Sequence, residues 1–276
     1  MTGAAGAVPD PLPYRLVATD LDGTLLREDG TVSQVSRDAL TAVAAAGAAH
    51  IVVTGRSVPW TRHVLADLDY HGLAVCGQGA QLYDAGAHRL LTSITLDRQL
   101  AGLALAKIEA EVGPVAVAAS RDGLSGDVLI GEGYVYHPEL PVVLMADPAE
   151  LWAEPINKLY IQRRELGDDG LARAARAVAG DLVGVTVAGD GIVELLPLGL
   201  TKATGLALAA RRLKVTAAET IAFGDMPNDI AMLKWAGHGV AMANAHAELK
   251  AVADEITASN DEDGIALVLE RVFGPL

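Results

Sequence analysis

Two aspartates one residue apart, Asp20 and Asp22, close a short apolar run (Leu16 to Thr19) and are followed by Gly23 and Thr24. A second pair, Asp225 and Asp229, follows another apolar run ending in Phe223, with Asn228 between them. Asp-x-Asp-Gly alone is a common turn and also opens calcium loops. In an EF-hand the glycine would fall at Leu25 and the closing glutamate at Thr31, so that reading fails. Carboxylates at strand ends suit attack on phosphorus instead. Such an attack requires the phosphoryl charge to be offset, and a magnesium ion held by oxygen ligands does this. Asp20 is then the candidate nucleophile and a metal ligand, passing through an aspartyl-phosphate. Asp22, on the same side of an extended backbone, is the candidate acid and base, serving first the leaving oxygen and then the hydrolytic water. Asp225 supplies a second metal carboxylate. Asp229, one helical turn on, orients the ligands from behind.

The phosphate needs partners of its own. Thr54, Gly55 and Arg56 follow the run Ile51 to Val53, where the Thr54 hydroxyl and backbone N–H groups at a helix start make an anion cradle. Lys202 opens a predicted helix, where a cation opposes the macrodipole at a cost of about 0.3–1 kcal/mol. A nearby anion reverses that sign. Other chemistries are poorly served: there is no Gly-x-Ser-x-Gly elbow, no His-Glu-x-x-His and no Walker loop, and Gly77-Gln78-Gly79 lacks a third glycine. His50, His63 and His137 show no metal spacing and are read as structural or surface residues. Cys76, the single cysteine, excludes an intrachain disulfide and a cysteine-based zinc site, and is read as a buried strand residue.

The elements that must position these groups alternate. Strands at Leu16 to Thr19, Ile51 to Val53 and Leu73 to Cys76 are separated by helices from about Ser33 to Ala46 and from Pro59 to Leu68. That order predicts a parallel sheet with right-handed crossovers, whose ligands bind beyond the carboxyl ends of the strands. From about Tyr83 to Asp190 the pattern changes to strand-like runs punctuated by two helices. After Ile192 to Leu196 the first style returns, ending in a helix capped by Ser259 or Asn260, with Asp261, Glu262 and Asp263 in its first turn. The predicted fold is α/β: a Rossmann-like doubly wound core (residues 14–83 and 191–276), an inserted α+β cap (84–190) and a flexible tail (1–13).

Composition narrows the partners. A net charge of -14 and an aromatic content of 4% argue against nucleic acid, because the first repels a phosphate backbone and the second leaves little to stack on bases. The same acidity calls for a cation beside any bound phosphate. No apolar stretch spans a membrane and the first residues lack a signal-peptide pattern, so the expected location is the cytoplasm.

The segments Asp20-Leu21-Asp22-Gly23-Thr24, Val53-Thr54-Gly55-Arg56, Lys202 and Gly224-Asp225-Met226-Pro227-Asn228-Asp229 resemble the four motifs of the haloacid dehalogenase-like (HAD) superfamily. They are most similar to its Cof-like phosphatases with a type-2 α/β cap. The resemblance covers nearly the whole chain outside residues 1–13. It implies magnesium on Asp20, the main-chain carbonyl of Asp22 and Asp225, with Thr54 and Lys202 on the phosphate and Arg56 and Asn228 near the substrate. A carboxylate at Asp22 favours phosphate chemistry over dehalogenation. Two positions depart from the pattern: Gln78 stands where the family usually has Asn, and Ala243 where it usually has Gly. The expected substrate is a small phosphorylated metabolite, a sugar phosphate or a phosphorylated cofactor. A phosphomutase and a catalytically silent binding protein are the alternatives. Specificity is expected in the cap, with Arg121, His137 and Lys158 as candidates, each an ordinary surface residue by default. The sequence leaves oligomeric state open.

Overall fold

The computed structural model describes residues 12–136, 141–189 and 191–274. An eight-stranded sheet runs through the core in the order β14-β13-β12-β1-β2-β3-β4-β5. Its centre is β1 (Leu16–Thr19), with β2 (Ala49–Val53) and β3 (Leu73–Cys76) on one side and β12 (Thr220–Gly224), β13 (His238–Ala241) and β14 (Glu255–Ile256) on the other. These six strands are parallel. Helices α1 (Gln34–Ala45), α2 (Val58–Asp67), α5 (Lys202–Leu213), α6 (Ile230–Trp235), α7 (Ala247–Lys250) and α8 (Gly264–Phe273) belong to this unit. The central strands bury both faces, as a covered parallel sheet requires, and their apolar runs (Leu-Val-Ala, Ile-Val-Val, Ile-Ala-Phe) reflect this.

A second sheet, in the order β10-β11-β9-β6-β7-β8, builds the cap. It comprises β6 (Ala116–Arg121), β7 (Val128–Ile130), β8 (Val143–Leu144), β9 (Ile156–Gln162), β10 (Gly184–Gly189) and β11 (Ile192–Leu196), with α3 (Arg98–Val112) and α4 (Gly167–Ala179) packed on one face. The doubly wound core with an inserted cap is thus present. Two stretches fall on the other side of the expected division. Residues 81–93 form a hairpin, β4 (Gln81–Asp84) and β5 (Arg89–Ser93), which extends the core sheet antiparallel to β3. Strand β11, expected to resume the core, pairs with β9 and β10 in the cap.

The expected cap of the last helix is also different. Ser259 bonds Glu262 within the preceding turn, Asn260 donates to the carbonyl of Leu26, and α8 begins after Asp263, whose φ is positive. Cys76 is buried in β3, where burial pushes its thiol up to about 12 and the Sγ–H faces the Thr61 hydroxyl. It is an inert core residue. His137 lies outside the described residues, as does nearly all of the expected N-terminal tail. Among the described residues no helix is long and apolar enough to cross a membrane.

His50 illustrates how burial enters stability. Its ring sits edge-on to Tyr70 and shares a 2.8 Å hydrogen bond with the Thr19 hydroxyl, and burial lowers its pKa to about 4. The unfolded chain therefore binds a proton near pH 6.5 that the folded chain refuses until about pH 4. The contribution is complete above pH 6.5 and is lost as the pH falls through that window. Because His50 keeps some exposure, the loss is discounted to about 2 kcal/mol. Denaturant melts at pH 7 and pH 5 should show this loss in the native protein, and His50→Gln should flatten it.

Candidate active site

The site forms at the carboxyl ends of the parallel strands, where the topology brings four distant segments together. Asp20 leaves β1 and enters a tight loop through Gly23. Gly23 has φ +68°, and a Cβ there would lie 2.3 Å from an Asp225 carboxylate oxygen, so no other residue fits the approach. Asp225 follows β12, and its Oδ1 accepts a 2.9 Å hydrogen bond from Thr24. Asp229 accepts the backbone N–H groups of Asp225 and Met226 at 3.1 Å each, which folds the Gly224–Asp229 loop back on itself.

Lys202 joins the cluster from the first turn of α5. Its side chain is fully buried, with Nζ 2.9 Å from Asp20 and 2.7 Å from Asp229. Burial alone would lower the pKa of this ammonium, but the two carboxylates outweigh it and the pKa lies above the usual lysine value. Asp20 is pushed well above the ordinary carboxylate range, chiefly by burial and only partly relieved by Lys202. Asp225 is raised to about 7 by burial and by the charge of Asp229. Carboxylate oxygens of Asp20, Asp225 and Asp229 lie within 4.8 Å of one another. Three buried carboxylates against one ammonium leave an excess of negative charge that a dry site does not hold alone. All-oxygen donors with this charge fit a hard divalent cation.

Asp22 takes another direction. Its carboxylate lies outside the buried cluster, 55% exposed, and is gripped by the Arg56 guanidinium, with Nε 2.9 Å and Nη2 2.5 Å from its two oxygens. Thr54 is buried, and its hydroxyl oxygen accepts the N–H of Arg56 at 3.1 Å. The helix expected from Pro59 starts one residue earlier, at Val58. Gly55 is needed for space, since a Cβ would meet the Gln78 amide at 2.6 Å. Asn228 donates to Gln78 Oε1 at 3.1 Å, while its own Oδ1 is buried without a partner among the described residues.

A second buried charge pair escaped the sequence analysis. Lys158 of β9 donates to the carbonyl of Gly55 at 2.6 Å and is paired with Glu194 of β11. Glu194 in turn accepts the Gln78 amide at 2.6 Å. Gln78 itself holds a left-handed φ of 61°, a conformation that costs a non-glycine residue about 1–2 kcal/mol. Asn228, Gln78, Glu194 and Lys158 thus form one line of hydrogen bonds from core to cap across the floor of the site. Lys158, an ordinary surface residue by default in the sequence analysis, is instead buried and lines the same space as Asp20, Asp22 and Arg56. Arg121 does not: it faces Asp127 and Glu154 at 3.6 and 3.5 Å within the cap.

The sequence profile described as haloacid dehalogenase-like hydrolase matches residues 17–269. The chain belongs to this family. Among its HAD relatives is a Bacillus subtilis 5-amino-6-(5-phospho-D-ribitylamino)uracil phosphatase, YwtE, 29% identical over 94% of this chain and 98% of that one. A solved HAD phosphatase from Bacteroides thetaiotaomicron is 28% identical and superposes with a TM-score of 0.78 over 98% of this chain and 99% of that one. A HAD subclass IIB sugar phosphatase, 21% identical, shares the fold with a TM-score of 0.78 over 93% of this chain and 98% of that one.

Proposed function

We propose that this HAD hydrolase cleaves small phosphate monoesters through an aspartyl-phosphate on Asp20, using magnesium. The observation that supports the reading best is the buried cluster of Asp20, Asp225, Asp229 and Lys202 at one sheet edge, whose charge calls for a divalent cation. Asp20, Asp225 and the main-chain carbonyl of Asp22 would hold that ion, with Asp229 behind them. When bound, the ion neutralises charge at the phosphoryl oxygens and lets a carboxylate approach phosphorus. The relatives above act on a phosphorylated ribitylaminouracil and on sugar phosphates, which suggests a small phosphorylated metabolite here too.

The remaining steps belong to the chain's own residues. Asp20 attacks phosphorus, the bond to the ester oxygen breaks, and that oxygen takes a proton from Asp22. Water then attacks the aspartyl-phosphate and gives its proton to Asp22, the bond to Asp20 breaks, and inorganic phosphate leaves. Lys202 and Thr54 hold the phosphoryl oxygens. The Arg56 guanidinium grips the Asp22 carboxylate in the resting site. An incoming phosphate dianion competes for that guanidinium and frees Asp22 to turn to the ester oxygen, to which it delivers a proton taken from solvent and later regained from the hydrolytic water. Gly55 and Asn228 face the same space, the latter with an unpaired carbonyl oxygen for the substrate.

Phosphate release from a panel of small esters, with magnesium and after chelation, tests this. Release should require the metal, and chelation should lower it by at least 10²-fold. Transfer of phosphate to a second hydroxyl without release would instead mark a mutase, and metal-independent release would overturn the proposed site.

A further inference from the structure

We infer that Asn244 is a positioning residue for the metal site. It pins the Gly23 peptide and thereby sets how well the site distinguishes magnesium from a larger divalent cation. The inference rests on the magnesium reading above.

The loop after Asp20 has a weakness built into it. Gly23 stands between Asp22 and Thr24, and the Asp225 carboxylate leaves no room there for a side chain. Glycine is therefore forced by space, yet glycine also lets the peptides on either side of it reorient at little cost. The dihedrals at Asp22 (φ -66°, ψ 127°) and Gly23 (φ 68°, ψ 1°) are not helical, so no helical ladder holds this stretch. One of the two peptides that Gly23 frees is the one whose carbonyl Asp22 would offer to the cation.

Two asparagines from the far end of the chain take up that freedom. Asn244 Nδ2 donates to the Gly23 carbonyl at 2.8 Å, and Asn260 Nδ2 donates to the Leu26 carbonyl at 2.8 Å. The backbone N–H of Asn260 donates to Asn244 Oδ1 at 3.2 Å, which joins the two side chains into one brace. Asn260 is buried, and its segment is tied down further along. Arg27 Nη2 lies 2.9 and 2.8 Å from the two oxygens of Asp263, and the Glu28 N–H donates to Asp261 Oδ1 at 3.1 Å.

The loop that carries Asn244 is bonded to the other ligand loop as well. After β13, the Met242 N–H donates to the Gly224 carbonyl at 3.1 Å and the His246 N–H to the Asp225 carbonyl at 2.7 Å. Lys250 Nζ donates to the Ala243 carbonyl at 2.6 Å, which holds the middle of the span. Residues 242–246 thus reach from the backbone of Asp225 to the backbone of Gly23 and fix the separation of the two loops. That separation matters unequally to different ions. Magnesium demands near-ideal octahedral geometry at about 2.0–2.1 Å, whereas calcium accepts a flexible arrangement of six to eight oxygens at about 2.3–2.6 Å. A loop free to swing the Asp22 carbonyl costs magnesium more than calcium.

Calorimetric titration of the whole protein with magnesium chloride and with calcium chloride tests this without turnover. Asn244→Ala should weaken magnesium binding about tenfold and calcium binding by less than about twofold, so the ratio of the two affinities falls about fivefold or more. Asn244 is exposed, so the variant should keep its fold. Its melting temperature in chelator should drop by no more than about 3 °C. Asn244→Asp keeps the acceptor for Asn260 and loses the donor to Gly23. It should lower the affinity ratio as far, whatever its added charge does to both ions together. An unchanged ratio in both variants, or equal weakening of both ions, would overturn the role of Asn244 and leave the magnesium reading intact. Native protein that binds neither ion would overturn both.

Discussion

Asp20→Asn should abolish phosphate release, leaving at most about a thousandth of the native rate. Asparagine keeps the shape and one oxygen, but its amide is no nucleophile toward phosphorus. The same substitution should raise stability in metal-free buffer by about 1 kcal/mol. In the native protein Asp20 is buried beside Asp225 and Asp229, and burial with those neighbours raises its pKa well above the ordinary carboxylate range, so the folded state disfavours its charged form. A neutral isostere removes that penalty, while Lys202 keeps Asp229 as its partner. A variant less active and more stable is the signature of a residue kept for chemistry at the expense of the fold. An Asp20→Asn protein with native turnover would remove Asp20 from the role of nucleophile. Unchanged turnover with lowered stability would make it a structural acid.

Lys202→Met carries the second large effect, with the opposite sign on stability. The side chain is fully buried between two carboxylates, so its removal leaves uncompensated charge in a dry site. Breaking such a pair costs about 3–5 kcal/mol. The denaturant midpoint in chelator should fall accordingly, and added magnesium should recover part of the loss by replacing the missing positive charge. Turnover should fall by about 10² or more, because the phosphoryl oxygens lose a fixed cation. A midpoint unchanged in chelator would show that the carboxylates are protonated in the resting protein and that Lys202 does not hold them together.

How much of this could be read in advance depends on whether a residue's partners are near it in sequence. Asp20, Thr54, Arg56 and Asp225 each follow an apolar run that any parallel sheet would bury, so the strand pattern alone places them at one edge. Asp22 and Asp225 differ in a way that spacing does not reveal. The extended backbone at Asp22 turns its carboxylate to Arg56, whereas Asp225 points inward under Thr24. Lys158 and Glu194 depend on pairing between β9 and β11, which lie more than thirty residues apart. A signal existed: each is a lone charge within an apolar strand, Ile-Asn-Lys-Leu-Tyr-Ile and Ile-Val-Glu-Leu-Leu, and a buried lone charge needs a counter-ion. The misplaced edges of the cap have a similar cause. Strand β11 carries the same apolar run as a core strand, and only its antiparallel partners assign it to the other sheet. Where the turn Ser259–Glu262 was read as a helix cap, the serine and glutamate had found each other locally instead.

The hydrogen bonds that cross from cap to core also set a clock. Lys158 to the Gly55 carbonyl, Gln78 to Glu194 and Trp60 to the Pro141 carbonyl must all part before the cap can swing away from the core. Two involve a charged group, at about 1.5–3 kcal/mol each, and the third is neutral, at about 1 kcal/mol. Together they hold the conformation with cap and core parted to roughly one molecule in a thousand or fewer. For an ester too large to enter while the cap is docked, a diffusional ceiling of about 10⁸–10⁹ M⁻¹s⁻¹ becomes an effective capture rate of about 10⁵–10⁶ M⁻¹s⁻¹. Such capture should fall in proportion to solvent viscosity, because the encounter stays diffusional, and should be steeply sensitive to temperature, because parting the cap breaks all three bonds at once.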